Sequence, residues 1–303
     1  MKKAIRYALI LCLLSWTIVT VAVFGFGLDR KANPLGYTVF ATGYMFLPFI
    51  VALVLQAVDK EKFNHSGLVN FRLKWSWLIA WLLPIVLTFA SILVNGLMPN
   101  VELGYGMEQV MNQANLPESQ QDLVQKQLMS IPPAVMVVSN VVSALLAGAT
   151  INAVAAFGEE YGWRNYLVNA LRKKCFATVA LFIGVVWGIW HFPLILMGHN
   201  YPNEPYWGVL LMVVFCILAG IIELYFVLKT KSVIVAAVFH GTINAIAGIV
   251  AIFVKGGNDF VNGMMGLSGF IVMGFTILIL WLIDKYVTKD DIFAKTLGES
   301  LER

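Results

Sequence analysis

Eight apolar runs constrain this chain more than any other feature of its sequence. Of its 303 residues, 59% are hydrophobic and only 13% are charged, far from the average of soluble globular proteins. Each run has the roughly 20 residues that a helix needs to cross the hydrocarbon core. We therefore expect one all-α domain over residues 1–303, a polytopic membrane helical bundle of about eight transmembrane helices. The runs lie near residues 6–27, 35–58, 75–97, 134–157, 176–197, 207–228, 232–254 and 266–286.

The basic residues indicate the orientation of the bundle. A net charge of +4 invites a nucleic-acid partner, but the positive residues lie at the ends of spans and not on one soluble face, so we expect no nucleic acid. With alternating spans, 17 of the 21 Lys and Arg residues fall on the side of the N-terminus. This bias predicts an integral membrane protein with both termini in the cytoplasm. Its compactness and short loops favour a bacterial cell membrane.

The long connection from Met98 to Pro133 is the main polar segment between the spans. It mixes acids, amides and apolar residues at roughly helical spacing. We expect a short amphipathic helix here, at the outer interface.

An acidic pair follows the fourth apolar run, which ends in the sequence FGEEYGWR. Ionisable side chains are costly at a membrane span and mark candidate sites. On a helix, Glu160 and Arg164 stand one turn apart and can pair, while Glu159 projects about 100° away. This leaves Glu159 free to act as a general base. The alternative is a solvated cap at the inner end of the span, in which Arg164 only sets orientation.

Two histidines and an asparagine lie in later apolar runs. His240 and Asn244 are four residues apart, so both face one side of a helix and suit the oxyanion of a tetrahedral intermediate. His191 follows Trp187 by four residues, and it is a candidate to orient the attacking water or to share its proton with Glu159. Trp187 would form the wall beside it. Taken singly, each histidine also fits a hydrogen-bonded core residue, and only the combination favours a hydrolytic site.

Glu223 is a further acid in the sixth run, six residues before Lys229. Long side chains near the end of a span reach the interface. We therefore place Glu223 outside the site, as a residue that snorkels or pairs at the inner interface.

Residues 134–254 resemble the CPBP family, the CAAX-protease and bacteriocin-processing group of intramembrane endopeptidases related to Rce1-type prenyl-protein proteases. Trp187 stands where this family usually has Phe, and Asn165 where many members have Gly. The motifs that carry the resemblance are EExxxR at Glu159, Glu160 and Arg164, FxxxH at Trp187 to His191, and HxxxN at His240 and Asn244.

The resemblance implies that residues 134–254 form the catalytic core of an eight-span bundle with a cavity open to the cytosol. A peptide bond would be hydrolysed near the cytoplasmic membrane face by a water molecule that the glutamate activates. The catalytic residues would be Glu159 and His191 for the water and His240 and Asn244 for the oxyanion, supported by Glu160, Arg164 and Trp187.

Metal dependence stays open, because the family has been described both as metalloproteases and as glutamate-dependent proteases. The chain has no HExxH motif, and we favour no cofactor. Zinc is the alternative. It would require Glu159, His191 and His240 to converge from three spans.

The partners expected from the resemblance are a peptide or membrane-protein substrate and the lipid bilayer. In a bacterium, peptide maturation, bacteriocin processing or self-immunity is a better expectation than a CAAX substrate. The alternative function is a non-catalytic membrane scaffold or bacteriocin self-immunity protein of the same family, in which the polar cluster only holds helices together. A transporter ranks last, because the chain shows no duplicated half with matching breaks.

The simple span boundaries conflict with one shared site. A fourth span that starts at Ala134 places Glu159 near the cytoplasmic edge, whereas His191 falls near mid-membrane at ~1.5 Å of rise per residue. We therefore expect a fourth helix that is long and tilted with an outer extension, and a fifth helix that begins several residues after Phe176.

Overall fold

The computed structural model describes residues 1–63, 66–71, 74–106 and 118–302. The apolar runs form helices, as expected from their composition, and the all-α membrane bundle is confirmed. The helices are α1 (Lys2–Phe26), α2 (Pro34–Tyr44), α3 (Leu47–Val58), α4 (Trp75–Asn95), α5 (Glu118–Met129), α6 (Pro133–Ala149), α7 (Ile151–Glu160), α8 (Leu167–Ala170), α9 (Phe176–Trp190), α10 (Phe192–Leu196), α11 (Pro205–Thr230), α12 (Ile234–Ile246), α13 (Val250–Phe253), α14 (Leu267–Leu282) and α15 (Leu297–Glu302).

The described part of the chain has six continuous helical spans long and apolar enough to cross a membrane. A seventh consists of α6 and the helix from Ile151 to Ala170, which meet at an angle of 49°. The remaining apolar run is divided between the 15-residue helix α9 and the short helix α10. All eight runs are therefore helical, although the fifth is too short to count as a complete span.

The break between α6 and α7 lies at Thr150, whose backbone angles, φ −126° and ψ −99°, are not helical. Beyond it, the fourth helix continues past its apolar run to Ala170, so the expected extra length exists, but at the end opposite to the one we predicted. The fifth helix begins at Phe176, and the prediction of a later start is wrong. The extension alone resolves the conflict between the predicted depths of Glu159 and His191. The helix continues for ~16 Å beyond Glu159 to its end at Ala170, so Glu159 is not at the membrane edge.

The helix that carries Glu159 and Glu160 changes its winding directly after them. Residues Tyr161–Tyr166 form a π-helical turn, and the Leu167 N–H bonds to the Gly162 carbonyl five residues earlier. Such turns occur in helices mainly as single insertions, often at functional sites. A side chain at Gly162 would collide with the Tyr7 hydroxyl, so this turn packs directly against α1.

The centre of the bundle is formed by α11 and the span that begins with α12. Within its most apolar window, the span Ile234–Phe253 is 61% buried, whereas the value for Lys2–Phe26 is 17%. Since lipid tails are as apolar as the protein interior, α1 can present leucines to the bilayer at no cost. The ionisable side chains of Glu223 on α11 and His240 on α12 therefore face protein and not lipid.

Both termini lie at the same end of the bundle. Lys3 bonds to Glu61 after α3, and the Lys231 ammonium bonds to the Leu301 carbonyl in α15. Asn70 links these regions through the Lys231 carbonyl. The cytoplasmic location of this end stays a prediction.

A small antiparallel sheet closes the opposite end of the bundle. Its strands are β1 (Val101–Leu103) and β2 (Val254–Gly256), with Glu102 opposite Lys255. The helix expected in the long connection is present as α5. Residues 107–117 of that connection lie outside the described residues.

Gly241 allows α12 to approach the bend between α6 and α7. A Cβ atom at Gly241 would lie 2.7 Å from the Gly148 carbonyl oxygen and 2.8 Å from the Ala153 nitrogen, and these backbone atoms cannot move aside easily. Overpacking costs about 1–3 kcal/mol, so Gly241→Ala should lower the thermal unfolding midpoint in detergent micelles. Gly274→Ala is the matched control, because its Cβ would meet nothing within 4 Å. Equal midpoints for the two variants would contradict this packing.

Candidate active site

Arg164 forms the ionic centre of the site. Its guanidinium contacts Glu160 from Nη1 at 3.1 Å and also pairs with Glu223. Side chains four residues apart stay on one side of this helix, so the pair with Glu160 forms as expected from the spacing. All three side chains are buried, which rules out the alternative of a solvated cap.

The position and the partner of Glu223 differ from those predicted from the sequence. We placed it at the inner interface beside Lys229, but it is 1% exposed and pairs with Arg164. Seven residues separate it from Thr230, the end of α11, and this corresponds to ~10 Å of helix rise. Lys229 pairs instead with Asp290. The signal was present in the sequence, because an isolated acid in an apolar run needs a buried partner.

Glu159 is held by two indoles. Its Oε2 atom accepts a hydrogen bond of 2.6 Å from Trp187 Nε1 and a longer one of 3.5 Å from Trp163 Nε1. Trp163 lies one helical turn after Glu159, a neighbour that the sequence spacing could have revealed. The carboxylate is thus separate from the Arg164 ion pairs, in agreement with the predicted division of roles.

His191 follows the last residue of α9. Its Nδ1 atom lies 2.9 Å from the Trp187 carbonyl oxygen. A carbonyl only accepts hydrogen bonds, so Nδ1 carries the proton, and in a neutral imidazole Nε2 is then an acceptor. The ring is therefore suited to bind a water hydrogen or to receive a proton.

His240 of α12 contacts the ionic cluster. Its Nδ1 atom lies 3.0 Å from Glu160 Oε1, and since a carboxylate accepts, Nδ1 donates. Glu160 thereby joins His240 to Arg164. This second carboxylate fixes the orientation of the imidazole.

Asn244 lies one turn after His240 on α12, and its side chain is exposed whereas that of His240 is buried. The side chain is therefore accessible from outside the packed core. Its assignment to the oxyanion stays a prediction.

Trp187 connects the separate groups. Its ring lies beneath the Arg164 guanidinium, 4.6 Å from centroid to Cζ, and meets the His240 ring edge-on at 5.3 Å. Its N–H bonds to Glu159 and its carbonyl to His191. We predicted only a wall at this position. The structure therefore brings Glu159, His191 and His240 together around one tryptophan.

The suitability of the site for a metal ion depends on Arg164. Among the described residues, the group able to offer ligand atoms within 4.8 Å of one another consists of Glu160, Glu223 and His240. This is not the trio of Glu159, His191 and His240 named from the sequence. Arg164 already pairs with both carboxylates, so a divalent cation among them would face the guanidinium charge at short range. The set does not fit a zinc ion.

Removal of the Arg164 charge should destabilise the folded protein. Arg164→Met leaves two buried carboxylates without their partner, a change that costs about 3–5 kcal/mol. We expect a large decrease in the free energy of unfolding, measured by denaturant titration in micelles. Arg172→Met removes an ion pair with Glu302 that is solvent-exposed and should cost about 0–1 kcal/mol. Similar decreases in the free energy of unfolding of both variants would show that the buried ion pairs contribute no more than the exposed one.

Comparison with known proteins places this site in a family context. Residues 134–246 match the family described as type II CAAX prenyl endopeptidase Rce1-like. A curated protein from Methanococcus maripaludis, named CAAX prenyl protease 2, is 34% identical to the chain over 105 residues. The alignment covers 33% of this chain and 39% of that relative, so the chain spans about two fifths of the relative's length.

The matched region contains all three motifs and all the residues assigned above to the candidate site. The resemblance predicted from those motifs is therefore confirmed for this region. The chain is an integral membrane protein whose residues 134–246 are similar to the type II CAAX prenyl endopeptidase Rce1-like family.

Proposed function

We propose that the protein is an intramembrane endopeptidase in which Glu159 activates the hydrolytic water. The observation that carries this proposal is a buried carboxylate, held through one oxygen by indole donors and set apart from the neighbouring ion pairs. Such a carboxylate is not a counter-ion of Arg164, which pairs with Glu160 and Glu223. It is available to take a proton within hydrogen-bond reach.

In the proposed reaction, a water molecule lies between Glu159 Oε1 and His191 Nε2. One water proton passes to Glu159, while the water oxygen forms a bond to the carbonyl carbon of the scissile peptide. The C=O π electrons move to the carbonyl oxygen, which becomes the oxyanion. When the tetrahedral intermediate collapses, the C–N bond breaks, and the proton on Glu159 passes to the leaving nitrogen.

His240 and Asn244 stabilise the oxyanion in this proposal. As an imidazolium, His240 donates from Nδ1 to Glu160 and from Nε2 to the oxyanion. The Asn244 amide supplies the second donor, one helical turn away and accessible to a substrate. Donors fixed before the reaction stabilise the developing charge without reorganisation.

The proposed substrate is a peptide or membrane protein whose scissile bond enters the bundle from the end that carries the termini. The charge bias assigns this end to the cytoplasm. The name of the M. maripaludis relative makes a farnesylated CAAX peptide the first probe, and peptide maturation or self-immunity is the other substrate setting we propose. The residues themselves require only an amide carbonyl.

Substitution of the base tests this mechanism directly. Glu159→Gln keeps the shape of the side chain but cannot take a proton, so hydrolysis should be lost while the protein remains folded. Quantitative peptidomics of membranes with wild-type or Glu159→Gln protein would find the substrate, and purified protein would confirm cleavage. Glu102→Gln, an exposed substitution in β1, serves as the control. If folded Glu159→Gln keeps full function, the scaffold alternative is correct.

Chelation separates the glutamate mechanism from a metal mechanism. Because Arg164 is already the counter-ion of Glu160 and Glu223, we expect the purified enzyme to remain active after 1,10-phenanthroline treatment and dialysis. Loss of activity and its recovery with added zinc would overturn the glutamate mechanism.

Asn244 should act mainly in the transition state. Removal of one oxyanion donor reduces kcat by about 10²–10³-fold, and Asn244→Ala should do so with little change in KM. Asn140→Ala is the matched control, because that amide bonds to the Met136 carbonyl of its own helix. An equal rise in KM with unchanged kcat would make Asn244 a binding contact.

A further inference from the structure

Trp187 has more contacts to the candidate site than packing requires. Its indole N–H points at Glu159, and the 2.6 Å distance from Nε1 to Oε2 is short for a hydrogen bond from nitrogen. Its ring contacts the Arg164 guanidinium and the His240 imidazole. Phe215 packs against the same ring. These contacts restrict the orientation of the indole.

Glu159 needs such a partner because of its position. The side chain is buried, with 2% of its surface exposed, so bulk water cannot orient the carboxylate. The other indole donor, Trp163, is at 3.5 Å and contributes a weaker bond. The bond from Trp187 therefore decides which carboxylate oxygen faces the protein.

From this geometry we propose that Trp187 is a positioning residue, whose indole N–H fixes Oε2 of Glu159 so that Oε1 faces the hydrolytic water. This inference rests on the proposed function. The ring contacts to Arg164 and His240 join the base to the oxyanion side of the site, so one residue sets the distance between the two groups.

The hydrogen bond can be tested without a substrate. The protein has nine tryptophans, and a ¹⁵N–¹H spectrum of the indole groups in micelles gives one signal for each. Trp187→Phe identifies the Trp187 signal by its loss. In Glu159→Gln a neutral amide replaces the carboxylate, so this signal should move upfield. The signal of Trp81, which donates to the Leu145 carbonyl, should not move.

Kinetics test the positioning role. Replacement of Trp187 by 3-benzothienylalanine keeps the shape of the ring and its face toward Arg164 but exchanges the N–H for sulfur. We expect kcat to fall about 10- to 100-fold, the range for a hydrogen bond to a charged group, with KM changed less than about twofold. Replacement of Trp187 by 5-fluorotryptophan, which keeps the N–H, should give a kcat close to that of the wild-type protein. Trp81→Phe is the control for loss of a partly buried indole that donates a hydrogen bond elsewhere.

The outcomes separate this inference from the proposed function. The positioning role is overturned if the Trp187 indole signal does not shift in Glu159→Gln, or if the benzothienyl variant has wild-type kcat. Either result leaves Glu159 as the base. Full activity of Glu159→Gln overturns the proposed function instead. A benzothienyl variant that loses thermal stability in parallel with activity shows that Trp187 acts only in packing.

Discussion

The architecture depends on one buried cation. Arg164 stands between Glu160 and Glu223 inside a bundle whose outer surface faces lipid, and neither acid is accessible to water. A charge in such surroundings is tolerated only with a partner. Glu160 ends α7, Arg164 lies in the π-helical turn that follows it, and Glu223 lies on α11. These segments must therefore meet at one depth and in one rotation. The ion pairs specify the geometry even where they add little net stability.

Around this centre, the two adjacent glutamates have opposite roles. Glu160 pairs with Arg164 and accepts a hydrogen bond from His240, whereas Glu159 accepts hydrogen bonds from two indoles among the interactions described above. A rotation of about 100° between consecutive residues produces this difference. Two identical side chains thus become a structural acid and a candidate base without any difference in sequence chemistry.

The sequence revealed the helices and the motif residues because both follow from short-range rules. Hydropathy located all eight runs, and i,i+4 spacing gave the Glu160–Arg164 pair. The sequence could not reveal that Glu223 pairs with Arg164, because a contact between residues 59 positions apart depends on how α11 packs against the helix of Arg164. The hydrogen bond from Trp187 to Glu159 was not predicted for the same reason. A tryptophan in an apolar run is typical of packing, and only the fold shows where its N–H points.

Span boundaries were the other failure, and their cause is local. The continuation to Ala170 passes through polar residues that hydropathy assigns to a loop, yet Arg164 is neutralised inside the protein and Asn165 is buried. Polar residues that find buried partners extend a helix beyond its apolar run. The bend at Thr150 is equally invisible in composition, and α12 approaches it closely at Gly241.

The π-helical turn at Tyr161–Tyr166 makes the geometry of the site depend on a number of residues as well as on their identities. A π turn holds one residue more than the α-helical path it replaces. Loss of one residue other than Arg164 from this turn would leave the hydropathy and the charge pattern of the chain almost unaltered. It would convert the turn to the α-helical path, so the flanking helices would keep their direction while the side chains within the turn would change the faces that they present. If the lost residue lay between Glu160 and Arg164, the two would be three and not four residues apart, so in this helix length variation is a more severe change than most substitutions.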